Sequence, residues 1–147
     1  MAMMGVRSGK NPSAEFWPIQ LHLPKAYTAD ANGANIDRYR NGGYNSLTLM
    51  LLPGLWTDGT HAFIIEEADD DGTGAPDTYA AVDTADLIGD TSGTFVPITA
   101  ATSTVQRIDY IGRKRWVRAR YDYTAGSTGA VFALVALLFS PNILPAA

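Results

Sequence analysis

Arg115 to Tyr123 reads RWVRARYDY, and its alternation decides the fold. Val117, Ala119, Tyr121 and Tyr123 fall on one side of an extended chain; Trp116, Arg118, Arg120 and Asp122 fall on the other. A period of two marks a strand with one face on a core and the other toward solvent or a partner.

Downstream, the Ala125–Gly129 turn leads into VFALVALLF, Val131 to Phe139, which is apolar at both parities. That run is far below the ~20 residues a membrane helix needs, so it reads as a strand covered on both faces. Pro141 and Pro145 stop the chain. Upstream, Ser103 to Ile111 alternates, and Thr94 to Thr99 is an edge candidate broken by Pro97. Ala85 to Ile88 reads as a helical turn or a strand end, and Tyr79 to Val82 as a short strand. Asp69 to Asp77 is a loop on composition. His61 to Glu67 is a strand entered through the Asp58-Gly59 turn. Tyr44 to Leu52 is a strand ended by Pro53-Gly54. Residues 24–43 form a long connection with turns at Asn32-Gly33 and Asn41-Gly42-Gly43 and a short strand near Ile36 to Tyr39. Phe16 to Leu23 is a strand closed by Pro24.

The count is seven or eight short antiparallel strands and no helix, which predicts an all-β fold, a β-sandwich or jelly-roll-like barrel. A length of 147 residues fits one domain. Residues 1–15, rich in Gly, Ser and Asn with Pro12, read as an N-terminal arm ahead of a single β domain over 16–147. The start lacks an apolar leader segment, so synthesis in a cytoplasm is expected. Hydrophobic residues make up 46 %, enough to exclude a disordered chain. The absence of Cys excludes disulfides, thiolate zinc sites and Cys nucleophiles.

Charge is segregated. Residues 41–106 hold ten acids and no Lys or Arg, whereas Arg113, Lys114, Arg115, Arg118 and Arg120 crowd into a short late stretch. Either the two halves pair inside one domain, or they meet on different subunits or on a partner. The sequence pI of 4.9 weighs against nucleic-acid binding.

Motifs for chemistry are sparse. His22 and His61 each sit in an alternating strand; His61 with Glu66 and Glu67 is a weak metal pattern. Asp69-Asp70-Asp71-Gly72 lacks the spacing of a helix-flanked calcium loop and reads as a solvated acidic turn, with a β-loop cation site the alternative. No phosphate-cradling loop or G-x-S-x-G elbow is present, and Asp83 and Asp86 have no neighbours to tune them apart. No catalytic residue, cofactor or metal is expected. Trp17, Trp56 and Trp116 either cap a core or anchor an interface, since aromatics and Arg dominate interface hot spots. The candidate interface set is therefore Arg113, Lys114, Arg115, Trp116, Arg118 and Arg120, with Trp17 and Trp56, and Glu66, Glu67 and Asp70 as the acidic complement.

Three segments carry a resemblance. HAFIIEEADDDG from His61, Asp86-Leu87-Ile88-Gly89, and QRIDYIGRKRWVRARYDYTAG from Gln106 to Gly126 resemble a group of small tailed-bacteriophage virion proteins. Their patterns are F-x-[IV]-E-E-[SA]-D, D-L-[IL]-G and Y-I-G-x-K-R-[YW]-V-R. The likeness covers about residues 44–140, with Tyr110 to Arg118 its specific part; residues 1–43 have no counterpart. It implies a non-enzymatic structural protein of the phage particle. The favoured role is head decoration (cement): a β-sandwich binding the major capsid protein or another shell protein and its own copies, with a trimer favoured. A neck or tail position is the alternative within the group. A carbohydrate- or host-surface-binding β-module is the rival suggested by the surface aromatics. The implied address is the virion, without a membrane partner.

Overall fold

The computed structural model describes residues 16–89 and 94–141. The expected arm over 1–15 lies outside them. The strands are β1 (Phe16–Tyr27), β2 (Ala31–Asn32), β3 (Ile36–Asp37), β4 (Tyr44–Trp56), β5 (Thr60–Ala68), β6 (Ala80–Ala81), β7 (Leu87–Gly89), β8 (Gln106–Tyr110), β9 (Trp116–Thr124) and β10 (Ala130–Pro141). One sheet has the order β1-β10-β4-β8-β7; the other runs β2-β9-β5-β6, with β3 also on β9. Pairing is antiparallel throughout, and the two sheets form a β-sandwich. Among the described residues the only helical segments are single 3₁₀ turns at Arg40–Gly42 and Thr84–Asp86. No described helix is long and apolar enough to cross a membrane.

The alternation in β9 settles which side is core. Val117, Ala119 and Tyr121 are fully buried. Facing them from the other sheet are Leu47, Leu49 and Leu51 of β4, and Phe132, Leu134, Ala136 and Leu138 of β10, all at 1 % exposure or less. Phe132 is the hub of an aromatic cluster. It stacks on Tyr27 at 4.5 Å and meets Phe63 edge-on at 4.8 Å and Tyr121 at 4.9 Å.

Several elements differ from the sequence reading. β1 continues through Pro24 to Tyr27, because register shifts on either side of His22 let the edge strand absorb the proline. β4 likewise runs through Pro53-Gly54 to Trp56, with its own shift against β10. The expected strand Thr94–Thr99 is irregular and joins the fold by one bridge, Ile98 to His61. Pro97 offers no donor there, and the Gln106 side chain bonds both backbone polar groups of Val96. Phe95 and Ile98 are nevertheless buried core residues. Ala85–Ile88 is both things it was read as. Asp83 caps the turn by accepting from the Ala85 N–H, and β7 follows.

Side chains pin the two sheets at both ends. At one end the Tyr110 hydroxyl of β8 donates to Glu67 of β5 and accepts from the Lys114 N–H. Arg38, buried, donates to the carbonyls of Gly112, Lys114 and Asn45 and lies 5.0 Å over the Tyr110 ring. At the other end Asp58, between β4 and β5, clamps the β9–β10 loop. Its carboxylate accepts from the N–H groups of Ser127, Thr128 and Gly129 and from the Tyr123 and Ser127 hydroxyls. That loop requires Gly129: its φ is +84°, and a Cβ would lie 2.0 Å from the Tyr27 carbonyl oxygen.

Candidate functional site

The two outer faces of the sandwich are chemically unlike. On the β5–β9 face, register places Glu66 opposite Arg118 and Ile64 opposite Arg120. Glu66 accepts from Arg118 Nε at 2.7 Å and from Arg120 Nε at 3.1 Å, and Arg120 also reaches Asp122 at 2.7 Å. The Arg118 guanidinium lies 4.0 Å from the centre of the Tyr79 ring. Burial there, only partly offset by Arg118, pushes the Tyr79 hydroxyl up to about 12. At the end of this face Arg115 grips both oxygens of Asp37 at 2.9 Å and one of Asp70 at 2.6 Å. The Asp37 hydrogen bonds raise the Arg115 pKa, and Arg115 in turn lowers that of Asp37. Lys114 pairs with Asp69. Acidic middle and basic end thus meet within one chain.

The predicted site residues therefore separate. Lys114, Arg115, Arg118, Arg120, Glu66 and Asp70 all pair within the chain, in three groups: Lys114 with Asp69, Arg115 with Asp37 and Asp70, and Glu66 with Arg118 and Arg120. Trp116, expected on a contacting face, is buried, with Arg115 5.1 Å over its ring and its Nε1–H directed at Asp70. Glu67 points the opposite way from Glu66, into the gap between the sheets toward Tyr110. Trp56 is half-buried against the core and donates to the Gly59 carbonyl. Trp17 is 38 % exposed at the end of β1, with Arg40 stacked on it at 4.3 Å. Arg113 is exposed, and no described carboxylate pairs with it.

His61 lies on the core face while Glu66 faces outward, so strand parity separates that pair. The His61 Nε2–H donates to the Asp58 carbonyl, which leaves Nδ1 to accept from the Tyr121 hydroxyl at 2.7 Å. Asp70 and Asp71 each use one oxygen to accept from N–H groups of their own loop, from Gly72 to Ala75, and the other Asp70 oxygen faces Arg115. Among the described residues no three His, Asp or Glu gather around a metal-sized space. A cleft of about 340 Å³ within 94–108 is largely apolar, and a shallower one of about 690 Å³ lies between 38–45 and 111–113.

The other outer face was missed in the sequence. Register places Val131, Ala133, Val135, Leu137 and Phe139 of β10 outward, beside Ser46, Thr48, Met50 and Leu52 of β4 and Phe16, Pro18 and Gln20 of β1. Beyond β4 come Arg107 and Asp109 of β8 and the exposed Ile88 of β7. The outward β10 side chains are half-buried among their neighbours, and no described strand packs on this face. The run at 131–139, expected to be covered on both sides, is covered on one by the described residues. Its double-parity apolar pattern was the signal for this face, read as deep burial.

No family model matches the chain, and no curated protein sequence matches it. Among solved structures it is similar to the SPBc2 prophage-derived protein YomS, at 14 % identity and a TM-score of 0.45, over 86 % of this chain and 94 % of that one.

Proposed function

We propose that this chain is a non-enzymatic structural component of a tailed-phage particle, and within that class a capsid decoration protein. It seats on the head shell, with the major capsid protein or another shell protein as partner, and lies against neighbouring copies. The resemblance of Tyr110 to Arg118 to small virion proteins supports this reading. The observation that carries it is the apolar outer face of β1, β10 and β4, on which no described strand packs. An extended apolar face on a folded body is what assembly covers. The charged groups fit the same role. Their mutual pairing stiffens the opposite face, and exposed Arg113 is left for an acidic partner. Many copies on one lattice turn individually weak contacts into firm attachment.

Quantitative mass spectrometry of purified particles tests the role. High copy number in heads freed of tails is the expected result. Recovery with the neck or tail fraction selects that position instead. Absence from particles, together with binding of the purified protein on a glycan array, overturns the reading in favour of a carbohydrate-binding module.

A further inference from the structure

We infer that a second copy of this chain covers the β1-β10-β4-β8-β7 face, the two sheets packed face to face across a twofold axis. This names the partner for the face on which the reading above rests, and two properties of that face argue for it. The first is size. With strands ~4.8 Å apart and ~3.3 Å per residue, β1, β10 and β4 over the outward run of β10, with the shorter β8 and β7 beside them, give a face of about 500 Å². Two such faces bury about 1,000 Å² even as flat surfaces, the size that a specific interface has to reach.

The second property is charge. In a twofold contact between identical faces, any net charge meets its own image and repels. The register places only Arg107 and Asp109 as charged side chains on this face, 3.7 Å apart and opposite in sign. Lys25 sits in the β1 bulge at the edge. The face is therefore neutral at its polar flank and apolar at its centre, the anatomy of a core with a rim. The β5–β9 face instead carries Arg118, Arg120, Glu66 and Asp122 across its middle, and covering it would take all four charges out of water.

The chain contains no Cys, so a single cysteine on this face can be linked by a thiol-specific cross-linker only to another copy. Met50 lies on β4, the middle strand of the five. Met50→Cys is expected to give a two-chain species with a bis-maleimide reagent long enough to span two sheets packed ~10 Å apart, and Ala62→Cys, on the outer face of β5, is not. Light scattering should give the mass of two chains for the wild type. Val135→Glu combined with Leu137→Glu should give the mass of one chain with a cooperative melt. Should that double variant not fold, the Met50→Cys and Ala62→Cys comparison decides alone. A wild-type mass of one chain would mean that residues 1–15 or a shell protein cover the face, and overturns the pairing. So does a mass of three chains, the clustering the resemblance implies, or cross-linking at Ala62→Cys alone. A one-chain species abundant on particles overturns this pairing and leaves the particle role standing. A two-chain species absent from particles does the reverse.

Discussion

Asp58 does the work of a small loop motif with one side chain. Backbone N–H groups of Ser127, Gly129 and Thr128 hold its carboxyl far below the ordinary range, against a smaller opposing effect of burial. Its stabilisation is complete above the unfolded value, about 3.9 for Asp, and is lost as pH falls from there toward the folded value. Asp58→Asn should lower the melting temperature at neutral pH and flatten the acid limb of the melting-temperature profile, as read by calorimetry from pH 7 down to 2.5. His22 works in a higher window. Burial lowers its pKa, with Lys25 adding to the effect and the Ala119 carbonyl opposing it. The folded value lies below the unfolded one, about 6.5. The neutral-ring contribution is therefore present above that pH and fades as pH falls below it. The Ala119 carbonyl also accepts from the Gly33 N–H, so His22→Leu leaves it partnered. The wild type should lose stability between pH 7.5 and 5.0 by urea unfolding, and His22→Leu should lose less over the same interval.

At the scale of elements, the β5–β9 pair and β10 each carry a loss that can be sized. Glu66 is 11 % exposed at its side chain and serves two arginines that are 20 % and 38 % exposed. Glu66→Ala leaves both without that acceptor. Because they retain partial solvent access, the loss is about 1–2 kcal/mol rather than the full cost of a broken buried pair. Urea unfolding measures it, and a double cycle with Arg118→Met apportions it. Phe132→Ala removes the ring on which Tyr27, Phe63 and Tyr121 converge, and should cost about 3–5 kcal/mol. β9 was legible in the sequence because a core on one side and charges on the other leave a strict period of two. The ends of β1 and β4 were not, because a register shift lets a strand pass a proline where no partner needs its N–H: β1 is an edge strand, and β4 at Pro53 has run beyond its β8 partner. Thr94–Thr99 resembled a strand because Phe95 and Ile98 must be apolar to enter the core, with or without a ladder.

For the whole molecule, the all-β sandwich follows from turn spacing and alternation. The partnering of its charges does not. Composition shows an acidic middle and a basic end; only the β5–β9 register shows that Glu66 reaches Arg118 and Arg120 of the same chain. The site was legible in one part, Arg113 as an exposed cation, and hidden in the other. An apolar residue at both parities cannot say from sequence whether its second face meets another layer of the same chain. The close approach of loops at the Asp58 end sets a limit on tolerance there: Gly129→Ala should fail to give soluble folded protein, whereas Gly72→Ala, which has open space around it and only the strain of its φ of +88° to bear, should fold and melt modestly below the wild type. A solubility assay after expression reads the difference.

The Tyr110–Glu67 contact and the Asp58 clamp sit at opposite ends of the strands and each joins the two layers. With both ends bolted, the layers resist sliding past one another, and the body is stiff in shear. A push delivered to one broad side is handed to the other almost undiminished, so the molecule behaves as a rigid tile.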